Sequence, residues 1–235
     1  SMYVVGFTEA LFFAVPELDL SYTLIATLVN IVVFTSVYIG AGWTIKLQYF
    51  ILAVVLAAIG SYCYGAWGHV SAEILSENLQ PKWTSGHSLV TIFALFFPAV
   101  TGIMAGVNMS GDLKNPSKAI PIGTFVAIGF TLLVYAGIAV LMAASTSRSS
   151  LVGDVMVMQG MAWFGPIVYA GVIAATLSSA LGSMMGAPRI LQAFAKDNIF
   201  KTLKYFAQGS GISNEPRRAI VITFIITQSG VFLGD

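Results

Sequence analysis

The amino-acid sequence predicts an all-α, polytopic membrane protein, and three observations carry that prediction. Only 9% of its 235 residues are charged, where soluble domains average about 25%. The mean hydropathy is +0.86. Apolar runs recur between short polar connections, several of them long enough for the roughly 17–25 residues that a spanning helix needs. A net charge of +1 supplies no basic surface for nucleic acid. The single cysteine, Cys63, sits in an apolar run as a small packing residue and excludes an intrachain disulfide.

Met2 to Val15 is an apolar segment containing Tyr3 and Glu9. An ionisable group at membrane depth is a candidate for function, or else a carboxyl paired with a local partner. Roughly 14 residues is short of a full span. Ala219 to Leu233 is similarly short, so both ends read as cut inside helices. Pro16 to Asp19 is an acidic turn. A span over Tyr22 to Ile39 ends at Gly40-Ala41-Gly42, and a third covers Tyr49 to Trp67 behind Lys46. His69 to Ser88 is a polar loop with room for a short amphipathic helix. Its two histidines, His69 and His87, have no neighbouring cysteine and no H-x-x-x-H spacing, which argues against zinc or another transition metal.

An apolar helix begins at about Leu89 and meets Pro98, Gly102 and Gly106, a poor composition for a continuous helix. Backbone groups freed by a break in a bilayer must find partners in protein or in a water-filled cavity. A broken helix offers N–H groups to anions at one end and carbonyls to cations at the other. The alternative is close helix packing through the G-x-x-x-G pair Gly102 and Gly106. Ser110 to Pro121 is a polar connection, and Ile122 to Ala144 is the next span. Ser145 to Gly153 is a short polar loop, and Asp154 to Phe164 a small helical lead-in. A long helix follows from Pro166 to Pro188 and extends toward Ala195. Lys196 to Arg218 is polar and basic.

Two patterns cut across these elements. Ala175, Ser178, Ser179 and Gly182 recur at i, i+3, i+4 and i+7, on one helix face. Such a stripe serves close packing, with serines bonding back to the i−4 carbonyl, or offers hard oxygen ligands to a small cation. Of the 11 Lys and Arg residues, alternating loops assign all but Lys82 and Arg148 to one side. That side is therefore cytoplasmic, with the chain start near it and the chain end outside.

The stretches FFPAVTGIMAGVNMSGDLKNPSKAIPIGT (from Phe96), AATLSSALGSMMGAPRILQAFAKDNIF (from Ala174) and MYVVGFTEA (from Met2) resemble the cation-chloride cotransporter family, in its sodium-potassium-chloride branch. GIMAGVNMSGDL is the specific part; NPSKAIP has counterparts in amino-acid permeases of the same superfamily. The likeness runs from Met2 to about Phe224. It implies the inverted-repeat transporter fold with five-helix halves, here as a partial domain over 1–235, holding helices three to nine and truncated at both ends. It further implies electroneutral cotransport of Na⁺, K⁺ and Cl⁻ by alternating access, with no cofactor. The resemblance assigns potassium to Tyr3, the Pro98 carbonyl and Thr101. It assigns chloride to the amides of Gly102, Ile103 and Met104, with Pro98 lining a second chloride position. Sodium falls to the Ala175 carbonyl, Ser178 and Ser179; family members without sodium coupling lack one of those hydroxyls. The first and tenth helices of the family, which supply further ligands, have no counterpart here. The loop from Ser145 to Phe164 is short and cysteine-free, unlike the long loop of animal members, which points to a microbial or pared-down homologue.

The expected partners are inorganic ions and the lipid bilayer, in an integral, multi-pass protein of the cell membrane, with a homodimer of the full-length parent as an open alternative. Rival readings are a potassium-chloride cotransporter, an amino-acid or polyamine permease using the same amides for a carboxylate, and a non-transporting membrane subunit. No H-E-x-x-H or G-x-S-x-G motif suggests an enzyme.

Overall fold

The structure is a computed structural model that describes residues 2–82, 88–97, 102–108, 110–198, 200–211 and 214–233. Its regular elements among these residues are all helical, joined by turns and loops, with an isolated antiparallel bridge between Ser210 and Glu215. In chain order the helices are α1 (Met2–Ala14), α2 (Tyr22–Ile39), α3 (Ala41–Trp67), α4 (Ala72–Leu79), α5 (Leu89–Phe96), α6 (Ala105–Asn108), α7 (Pro116–Ser145), α8 (Arg148–Gly153), α9 (Val157–Met161), α10 (Pro166–Lys196) and α11 (Arg217–Phe232). Short 3₁₀ turns cover Ser110–Asp112 and Lys201–Phe206. Helices α2, α3, α7 and α10 are long and apolar enough to cross a membrane.

Several boundaries differ from the sequence reading for local reasons. Helix α3 starts at Ala41 rather than near Tyr49, because Gly40, at φ +142°, ends α2 and starts α3 with no intervening loop. The Thr44 hydroxyl closes that corner, donating to the Ser36 carbonyl at 3.0 Å and the Gly40 carbonyl at 3.2 Å. Helix α7 begins at Pro116, a residue suited to the first helical turn because its missing N–H would have had no partner there. The loop expected at Ser145 to Gly153 is largely the helix α8, whose N-cap Ser147 accepts from the Ser150 amide. Helix α10 continues through Pro188 to Lys196.

Helix α10 organises the molecule. Its buried residues Ala180, Leu181, Met184 and Met185 form one cluster with Val4 of α1, Val33 and Val37 of α2, Ile51 of α3 and Ile220 and Val231 of α11. The α3–α10 contact is the most extensive in the fold, followed by α1–α10. Small residues permit the closest approach. A methyl placed on Gly171 would lie 2.5 Å from the Ala58 Cβ, and one on Gly65 would collide with the Met161 carbonyl. The pairings Ala58–Gly171 and Gln48–Gly182 make α3 antiparallel to α10. Asn30–Gln228 and Phe34–Phe224 make α2 antiparallel to α11.

A separate latch joins α4 to the C-terminal end of α7. The Asn78 amide donates to the Ala143 and Thr146 carbonyls at 2.8 and 2.9 Å. Arg148 donates to the carbonyls of Glu77, Asn78 and Gln80 at 2.8, 2.9 and 2.7 Å. Each polar side chain thus satisfies the unpaired carbonyls of a helix end. Outside this latch α7 buries little: apart from Ala144 and Ser145 it has no buried residue. The contacts gather Arg189, Arg217 and Arg218 at the end where α2 finishes, with Arg148 at the opposite end, matching the charge division in the sequence.

Candidate functional site

The candidate residues lie on or beside α10. Ala175, Ser178 and Ser179 sit midway along it, with Ala175 and Ser179 exposed and Ser178 half-buried. The Ser179 hydroxyl donates to the Ala175 carbonyl at 3.0 Å, the back-bond that serine makes inside helices. Two oxygens so spaced subtend about 70–80° at a cation held about 2.3–2.6 Å from each, close to neighbouring vertices of an oxygen shell. With a cation there, the Ser179 hydroxyl would turn its hydrogen away from the Ala175 carbonyl and offer a lone pair instead. The pair belongs to an uncovered stripe that continues through Ser183, Ala187 and Ile190.

Tyr3 lies in the first turn of α1, half-buried against the α10 core. It lines a cavity of about 150 Å³ with Asn30, Ser183, Ala187, Thr223 and Thr227. Glu9 is exposed on the same helix. Pro98 and Thr101 lie outside the described residues.

Gly102, Ile103 and Met104 are exposed and non-helical, leading into the four-residue helix α6. Gly102 has φ +98°, a region that residues with a Cβ rarely enter. Its carbonyl accepts the Ala105 amide at 3.0 Å, and that of Met104 accepts the Asn108 amide at 2.9 Å. No acceptor among the described residues takes the amides of Gly102, Ile103 or Met104, and backbone amides at a helix start suit an anion. Gly102 and Ile103 border an apolar groove of about 810 Å³ against Ile120, Gly123 and Ala127 of α7. Helix α6 meets α10 at Gly186, where a methyl would come within 2.9 Å of the Asn108 amide nitrogen.

The structure therefore sets Tyr3 against the Ala180–Ala187 stretch of α10 and α6 against Gly186, with Ser179 next to Ala180 and about 11 Å along the helix from Gly186 at 1.5 Å per residue. Among the described residues Tyr3 and Gly102 line different cavities, and the serine pair lines neither of these two. Sequence reasoning missed the polar relay beside Tyr3. There the Asn30 amide donates to the Gln228 carbonyl oxygen at 2.9 Å, and the Gln228 amide to the Thr27 hydroxyl at 2.7 Å. Asn30 is fully buried, and its own side-chain oxygen has no partner among the described residues. The available signal was two carboxamides set in apolar runs.

Comparison with known proteins adds the family. A model of the amino acid permease family matches residues 1–235. Solute carrier family 12 member 1 of Mus musculus is 33% identical over 291 aligned positions, covering all of this chain and 27% of the mouse protein. Solute carrier family 12 member 2 of Homo sapiens is 33% identical over 291 positions, 24% of its length. Solute carrier family 12 member 8 of Mus musculus is 31% identical over 252 positions, 35% of its length. The chain thus spans about a quarter to a third of the relatives it matches. These proteins are membrane carriers rather than enzymes, and this chain, with four apolar helices of spanning length, is an integral membrane protein. The chain belongs to the amino acid permease family, beside its solute carrier family 12 relatives, in agreement with the likeness its motifs bear to the cation-chloride cotransporters.

Proposed function

We propose that the protein carrying this chain is a secondary symporter that moves Na⁺, K⁺ and Cl⁻ together, electroneutrally, by alternating access. The observation that carries the sodium part is the Ser179 hydroxyl 3.0 Å from the Ala175 carbonyl on an uncovered face of α10, with Ser178 beside it. The amides of Gly102, Ile103 and Met104, which have no acceptor among the described residues, support chloride, and Tyr3 supports potassium together with Pro98 and Thr101. The names of the relatives, solute carriers, support carriage of a solute as the coarser statement.

The test is uptake of rubidium, a potassium surrogate, by the full-length parent in proteoliposomes. Sodium and chloride are removed in turn, and the series is repeated with Ser179→Ala. Uptake that needs both ions, and a variant whose sodium dependence weakens about 10–100-fold, as for loss of a charge-assisted contact, support three-ion transport. Chloride dependence without sodium dependence makes the protein a potassium-chloride carrier and the serines packing residues. A second reading, amino-acid transport, draws on the same amides, which suit a carboxylate as well as chloride. It gains if neither ion matters and a labelled amino acid is taken up.

A further inference from the structure

A pocket at the opposite end of α11 from its C-terminus has no part in the ion-site reading. It holds about 480 Å³ and is lined by Tyr38 at the end of α2, Tyr205, Phe206 and Ser210 of the α10–α11 connection, and α11 residues that begin with Arg217 and Arg218. The Arg217 guanidinium lies 5.1 Å from the centroid of the Tyr38 ring. That of Arg218 lies 4.4 Å over Tyr205 and donates to the Tyr205 carbonyl at 3.0 Å. Two like charges adjacent in sequence are thus held on aromatic faces. Neither has an acidic partner among the described residues; the Glu215 carboxylate is engaged by Arg189 at 3.9 Å. The pocket's remaining wall is apolar, formed by Val221, Ile222 and Ile225. Val221 and Ile225 are exposed and one turn apart, and Ile225 lies about 12 Å along the helix from Arg217 at 1.5 Å per residue.

Two guanidiniums without an acidic partner among the described residues, above an apolar wall, complement a molecule with an anionic head and a hydrocarbon tail. The charge bias of the loops assigns this end to the cytoplasmic side, where anionic lipids collect. We propose that this pocket binds the headgroup of an anionic phospholipid, its phosphate between Arg217 and Arg218 and an acyl chain along Val221 and Ile225. Arg presents a planar fork to phosphate oxygens, and the tyrosine faces hold each fork in place before the lipid arrives. Free phosphate would use the same charges but leave the apolar wall idle. This inference is independent of which ions are carried.

The experiment is native mass spectrometry of the protein released from micelles doped with dioleoylphosphatidylglycerol, dioleoylphosphatidylcholine or inorganic phosphate. Phosphatidylglycerol should bind more tightly than phosphatidylcholine and lose affinity with salt. Arg217→Gln or Arg218→Gln should each weaken it about 5-fold, and the double variant about 25-fold, the scale expected for one surface charge apiece. Lys82→Gln, outside the pocket, should leave it unchanged. The double Arg→Lys variant keeps the charge and should keep binding within about 5-fold, which separates a charge effect from a fold defect. Equal binding of the two lipids overturns the proposal. So does inorganic phosphate binding as tightly as the lipid, or loss of binding in the lysine variant as complete as in the glutamine one.

Discussion

Replacing Gly171 by alanine tests the α3–α10 contact on which the placement of the serine pair depends. The new methyl would lie 2.5 Å from the Ala58 Cβ, about 1 Å inside the roughly 3.5–4.0 Å at which carbon atoms attract. Ala58 is 7% exposed and both residues are in helix interiors, so relief requires the two backbones to part. Overpacking of this kind costs about 1–3 kcal/mol. Part of that is hidden in the single variant, because alanine favours a helix over glycine by about 1 kcal/mol. Ala58→Gly has the opposite propensity cost and removes the colliding methyl. In the double variant Gly171→Ala/Ala58→Gly the propensity changes cancel and the methyl has only changed helices. The cycle should therefore give a coupling energy of about 1–3 kcal/mol. The assay is thermal unfolding of the wild type, both single variants and the double variant in detergent, at about 2–4 °C for each kcal/mol. A coupling below about 0.5 kcal/mol, the size expected of non-interacting sites, would refute the close approach of α3 and α10.

Two further outcomes follow from polar contacts. Arg148→Ala removes the donor shared by the Glu77, Asn78 and Gln80 carbonyls. It should cost about 1.5–3 kcal/mol, the range for charged hydrogen bonds, with hydrogen exchange rising first in α4 and the C-terminal end of α7. Unchanged exchange there would contradict the latch. Asn30→Leu leaves the part-buried Gln228 side-chain oxygen without its donor, at a cost of about 1 kcal/mol, the low end for an unsatisfied acceptor. Asn30→Leu/Gln228→Leu should recover most of the loss in melting temperature; additive losses would mean that the two amides act independently.

The spans were legible because hydropathy and glycine–proline punctuation are local properties. Tyr22 to Ile39 was read with its full bounds, and the short helix α4 from an amphipathic loop. Where boundaries moved, a local detail had been underweighted: Gly40 turns α2 directly into α3, and Pro116 is an acceptable first residue for α7. The serine pair was visible as a helical stripe, and Gly102 as a glycine at a break, although its positive φ belongs to the folded backbone. The sequence could not state which surfaces those residues face. Ser179 and Ala175 being uncovered, and Tyr3 lying over a different cavity from Gly102, depend on packing between distant segments.

By itself, then, the sequence determined a chain of apolar helices, the points at which they break and the distribution of positive charge, since these follow from residues within a turn or a span of one another. Only the tertiary structure decided that α10 is the common partner of α1, α2, α3 and α11. It alone joined Asn30 to Gln228 and set Arg217 and Arg218 over Tyr38 and Tyr205. In a bilayer, apolar surface alone does not choose a neighbour, because lipid is as apolar as the helix. The choice falls to close-packed small residues and to paired polar groups, and those complementarities exist only between helices, not within any one of them.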